Sequence, residues 1–156
     1  MKSAAVHVER QRAEIGPESF SRVTLADGVT RRAIVGYAAT STRERCAAII
    51  LIDAGGRTFG RIEISVADVP LIRQALAELG LRIEHERIGQ SDIGRMQRGR
   101  FVVDVWVRVY AAGDGHIGFR RSTDDGDPIG GATRLHTRFD EELAGLQRAI
   151  EWLEHG

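Results

Sequence analysis

The sequence predicts an α+β fold: two tandem ββββα units packed as one pseudo-symmetric domain, with antiparallel sheets and two helices. Three observations carry this. Apolar residues alternate with period two in several short runs separated by glycine-containing turns, as strands of half-buried sheets require. Each set of runs ends in a stretch whose apolar residues step by three and four, the spacing of an amphipathic helix. The two helical stretches also align without gaps, RQALAEL from Arg73 with QRAIEWL from Gln147, sharing the alanine, the next aliphatic residue and the final leucine. This is the mark of an internal duplication. The expected organisation is a flexible N-terminal tail over 1–19, a first repeat over 20–80 and a second over 81–156, in one compact domain.

The tail is mixed in charge and ends in Gly16-Pro17, a turn signal, with a short strand around Ala4 to Val8 as an option. Phe20, Val23 and Leu25 open the first strand. Ala26-Asp27-Gly28 and the run VTRRAIVGY then read as a hairpin, because Asp-Gly between β-rich runs favours a tight turn. The continuous apolar run CAAIILID reads as a strand covered on both faces. RTFGRIEI follows Ala54-Gly55-Gly56 and places Arg57, Phe59 and Arg61 opposite Ile62 and Ile64. A helix is expected from Asp68, as its N-cap, to Leu79, with Pro70 in its first turn, Gly80 just past its end and a stripe of Val69, Ile72, Leu76 and Leu79.

In the second repeat LRIEHERI is the expected opening strand and GQSDIGRMQRG a polar loop. RFVVDVWVRVY separates cleanly: Phe101, Val103, Val105, Val107 and Val109 form a core row, while Arg100, Val102, Asp104, Trp106, Arg108 and Tyr110 face the other way. A Gly-Asp-Gly turn, the return strand HIGFRRS, the loop TDDGDPIGG and the strand ATRLHTRF lead to a last helix over Asp140 to Glu154. Its stripe is Leu143, Leu146, Ile150 and Leu153, with Phe139 packing at its entrance.

Composition narrows the function classes. Twenty-two basic residues balance twenty-two acidic ones, so no global charge draws the molecule to polyanions. The charge is uneven, however. Leu81 to Arg121 holds eight arginines against five acids, and Ser122 to Gly156 eight acids against three arginines. Lys2 is the only lysine, so the cations are otherwise guanidinium forks, suited to bidentate phosphate contacts and to stacking on rings. Cys46 is alone, which excludes an intramolecular disulfide. No run approaches the roughly 18 apolar residues of a membrane span, and a cytoplasmic location is expected.

The paired sheet-and-helix plan, with arginines and aromatics interleaved on strand faces, resembles the single-stranded nucleic-acid-binding family of PUR-repeat proteins, plant Whirly proteins and the related transcriptional coactivator domain. That resemblance implies a sheet surface holding single-stranded DNA or RNA without catalysis and without a cofactor. The positions it singles out are Arg57, Phe59 and Arg61 in the first half and Arg100, Trp106, Arg108, Tyr110 and Arg120 in the second. Arginines would track the backbone and rings stack bases. A second reading uses the same aromatic face as a protein-interaction surface, for instance in a homodimer, with Trp106 and Tyr110 covered and Arg108 paired to Asp104 or to a cross-strand acid.

Other constellations are weaker. Asp124, Asp125 and Asp127 offer oxygen ligands for a hard cation but lack the distant glutamate of a calcium loop, and read first as a solvated turn. His85, His116 and His136 have no recognised ligand spacing and read as strand-surface or hairpin residues. No catalytic motif is present.

Overall fold

The structure, a computed structural model, describes residues 18–138 and 140–155. The expected tail and its optional strand fall outside them as far as residue 17, as does Phe139. Eight strands form two antiparallel four-stranded sheets, each in sequential order and each followed by one helix. The first comprises β1 (Glu18–Thr24), β2 (Arg31–Ala38), β3 (Arg45–Ile52) and β4 (Thr58–Ile64), and the second β5 (Gly89–Arg98), β6 (Phe101–Val109), β7 (Gly115–Ser122) and β8 (Pro128–His136). The helices are α1 (Val69–Glu84) and α2 (Asp140–His155). No helix among the described residues is long and apolar enough to cross a membrane.

Local chemistry explains the elements. At the first hairpin Gly28 has φ +81°, the left-handed region open to glycine, and one carboxylate oxygen of Asp27 accepts from the Val29 and Thr30 backbone N–H groups at 2.9 and 2.8 Å. A bond from the Thr30 hydroxyl, together with these two, holds the Asp27 carboxyl below its usual pKa. β3 is buried on both sides, as its unbroken apolar run requires. Ala48 and Ile50 join Ala33, Val35 and Tyr37 of β2 in a cluster on one face, and Ala47 and Ile49 point to the other.

Three expectations are corrected. LRIEHERI is not a strand: α1 runs through Gly80 to Glu84, continued by the i,i+4 pair of Glu78 and Arg82 at 3.1 Å, and stops where Glu86 takes φ +54°. The opening strand is instead β5, over the stretch that reads as a polar loop, and a register shift between Asp92 and Gly94 interrupts its alternation. Asp68 is not the N-cap either. It ends a 3₁₀ turn over Val66–Asp68, and its carboxylate reaches back to accept from the Ser65 N–H at 2.9 Å.

Two compact units separate along the chain, and the division falls within the repeats, at Val69/Pro70 and Asp140/Glu141. One unit holds β1–β4 with α2; the other holds α1 with β5–β8. The helix that follows each sheet in sequence therefore belongs with the other sheet.

In the first unit α2 is fixed by side chains that only a close helix could reach. Arg32 of β2 makes a two-pronged ion pair with Glu142, Nε to Oε2 at 2.7 Å and Nη2 to Oε1 at 2.9 Å, both residues buried. Phe20 and Trp152 pack ring to ring at 5.6 Å, and the Arg45 guanidinium donates to the Trp152 carbonyl.

In the second unit Leu71 of α1 lies against Gly94 of β5, and Ile72, Ala75 and Leu79 are buried. The sheet face on that side is the expected row, with Val103, Val105, Val107 and Val109 of β6 beside Ile117, Phe119 and Leu135, each no more than 2% exposed. Burial at about 25 cal/mol per Å² of apolar surface makes this row the main adhesive of the unit.

Candidate functional site

Register decides what gathers on the opposite face of the second sheet. The β6–β7 turn, closed by Tyr110 N–H to the Asp114 carbonyl at 2.8 Å, pairs Val109 with Gly115. Counting back, Arg108 falls opposite His116, Trp106 opposite Gly118 and Asp104 opposite Arg120. β8 then sets His136 beside His116 and Arg134 beside Gly118. The aromatic and cationic side chains of three strands thus converge.

Gly118 is what lets Trp106 lie down. A Cβ there would overlap the indole, so the ring occupies the space a side chain would take, and Trp106 is only 8% exposed. Its Nε1–H donates to His116 Nε2 at 3.1 Å, and His116 Nδ1 is 2.5 Å from the Tyr110 hydroxyl. Indole nitrogen is a donor only, so His116 Nε2 must accept, and the neutral ring then carries its proton on Nδ1 and donates it to Tyr110. His116 is 2% exposed. Burial, followed by the positive fields of His136, Arg134 and Arg108, lowers its pKa to about 4. His136 completes the ring cluster, 5.4 Å from His116 and stacked with Tyr110 at 6.5 Å.

Around these rings lies a concavity of about 800 Å³ whose lining includes Trp106, Tyr110 and His116 with Arg95, Arg108, Arg120, Arg134, Asp92 and Asp104. Four arginines meet two aspartates, an excess of two positive charges. Asp104 is committed: it accepts from Arg95 Nε at 2.9 Å and from the Ser122 hydroxyl at 2.6 Å. Arg108, Arg120 and Arg134 have no carboxylate partner among the described residues; they lie over rings instead, Arg108 at 5.7 Å from Tyr110, Arg120 and Arg134 at 5.7 and 6.0 Å from Trp106. Arg120 Nε is buried and has no hydrogen-bond partner among them.

Of the expected site residues, Trp106, Arg108, Tyr110 and Arg120 come together here. The Arg108 to Asp104 pairing does not form, because Asp104 serves Arg95. Arg100 lies apart, exposed in the β5–β6 turn and not on the strand face. Arg57, Phe59 and Arg61 belong to the first unit. Arg57 is exposed with Nε 3.3 Å from Asp53, and Phe59 is 59% exposed beside a register shift in β4. Arg61 is engaged by Glu63 at 2.8 Å and lies over Tyr37 at 4.8 Å, while Tyr37 donates its hydroxyl to Glu63. Burial and that bond to Glu63 push the Tyr37 hydroxyl pKa well above normal.

His116, Arg95 and Arg134 escape a reading of single strands, because their membership depends on pairing across the ladder. Asp124, Asp125 and Asp127 lie in the exposed turn between β7 and β8, and no cluster of three or more histidine, cysteine or acidic residues able to hold a metal occurs among the described residues. The sequence matches no protein-family model and no curated protein.

Proposed function

We propose that the protein binds single-stranded DNA or RNA without catalysis, holding phosphates on the polar face of the second sheet. One observation carries the reading: Arg108, Arg120 and Arg134 converge on one concavity with no carboxylate to neutralise them among the described residues. Guanidinium forks in that state are matched to phosphate oxygens. The element order, which resembles that of the PUR-repeat and Whirly proteins, points the same way. Because Trp106 is covered, backbone contacts dominate and its ring serves as framework rather than as a base platform. His116 suits a binding site better than a reaction centre, since both its nitrogens are engaged.

The alternative, a homodimer or other protein contact through this face, has less support, because arginines and not apolar rings are outermost. Fluorescence anisotropy with a labelled oligonucleotide tests the proposal. The parent binds at low salt, and replacing Arg108, Arg120 and Arg134 together by alanine flattens the slope of log K against log salt by about 2, at ~0.7 for each phosphate that is no longer neutralised. Absence of binding at low salt removes the proposal.

A further inference from the structure

The geometry points to a narrower ligand at the same concavity: we infer that it seats a terminal phosphate, a phosphomonoester, in preference to the internal diesters of a strand. The inference rests on the nucleic-acid reading above and sharpens it. Shape is the first argument. At about 800 Å³ the concavity falls within the roughly 300–1,000 Å³ of small-ligand pockets. A strand lying along a sheet needs instead a groove spanning several nucleotides, on the order of 4 to 16 for the usual single-strand binders.

Charge is the second argument. The lining carries an excess of two positive charges. A monoester bears about −1.5 to −2 near neutral pH, whereas each internal diester bears one negative charge. A chain end places that charge on one group, whereas internal diesters match it only with two phosphates in the concavity together.

Donor chemistry is the third. Arg108, Arg120 and Arg134 line the concavity with no carboxylate partner among the described residues and lie over rings instead. A monoester presents three terminal oxygens for the guanidinium groups of Arg108, Arg120 and the exposed Arg134, all of which line the concavity. A diester presents two. The rings add no competing preference for bases, because Trp106 lies flat over Gly118 and its N–H is committed to His116.

The phosphomonoester has two natural sources, the end of a strand and a free nucleotide, and one set of titrations separates them. The full chain is titrated at fixed salt with one oligonucleotide bearing a 5′-phosphate, a 3′-phosphate or hydroxyls at both ends, and separately with a nucleoside monophosphate. At least tenfold tighter binding of one phosphorylated end is expected. That advantage disappears in Arg120→Lys, which keeps the charge and loses the guanidinium fork, and shrinks in Arg134→Ala, whose exposed position leaves folding untouched. Equal affinity for phosphorylated and hydroxyl ends, with salt dependence intact, overturns the inference and leaves strand binding standing. Binding of the nucleoside monophosphate but of no oligonucleotide supports the phosphomonoester site and overturns the strand reading. No binding of any probe overturns both.

Discussion

His116 keeps a neutral ring because a second proton would set two donors face to face at Trp106 Nε1, in a place already short of water and near Arg108 and Arg134. Stability therefore depends on pH with a definite sign. The unfolded histidine titrates near 6.5 and the folded one near 4, so between these values the unfolded chain holds the extra proton and the native state loses ground as pH falls. Below the lower value the loss is complete. The expected outcome in thermal melts is that the parent's advantage over His116→Gln narrows from pH 7 to pH 4.5; an advantage constant over that range would mean that His116 is not held neutral. Such a residue is hard to see along the chain. Alternation assigns Trp106 and Arg108 to one face, but Gly118 and His116 acquire meaning only once the turn at Gly113 fixes which residues lie opposite.

Arg32 and Glu142 show the same limit at the level of elements. The apolar stripe of α2 is legible as Leu146, Ile150 and Leu153, yet the buried side of the helix also includes Glu142, whose partner lies 110 positions away in β2. A carboxylate on a helix reads as solvated until its arginine is placed. The fork is buried and two-pronged, so removing one partner strands the other charge away from water. Glu142→Ala or Arg32→Ala alone should each cost about 3–5 kcal/mol in denaturant unfolding, and the double variant Arg32→Met, Glu142→Leu should recover most of it. Full additivity of the two changes would show that the side chains do not act as a pair. β5 escapes reading for another reason: its glycines and its register shift hide a two-residue period in which only Met96 is fully buried. Gly80 misleads about the end of α1 because it lies at the helix surface, where a missing side chain costs about 1 kcal/mol and stops nothing.

Across the whole molecule, the duplicated order of four strands and a helix is legible from period and turn chemistry, but the helices' partners are not, since nothing in a stripe of leucines specifies which sheet it covers. The exchange of helices has a consequence for cutting the chain. A break after Glu86, in the turn between α1 and β5, leaves residues 18–86 with the first sheet and α1, and 87–156 with the second sheet and α2. Each fragment then lacks the helix that belongs with its sheet. In the first fragment Ile34, Ile49, Ile62 and Ile64 lose the cover of the α2 face that carries Glu142 and Trp152, and at about 25 cal/mol per Å² that loss exceeds what a small sheet can tolerate. The separate fragments should show no cooperative melting by circular dichroism, and an equimolar mixture should regain it, because each supplies the other's missing helix. If either fragment melts cooperatively as a lone monomer, its own helix can fold back on its own sheet, and sequence order rather than exchange governs the packing.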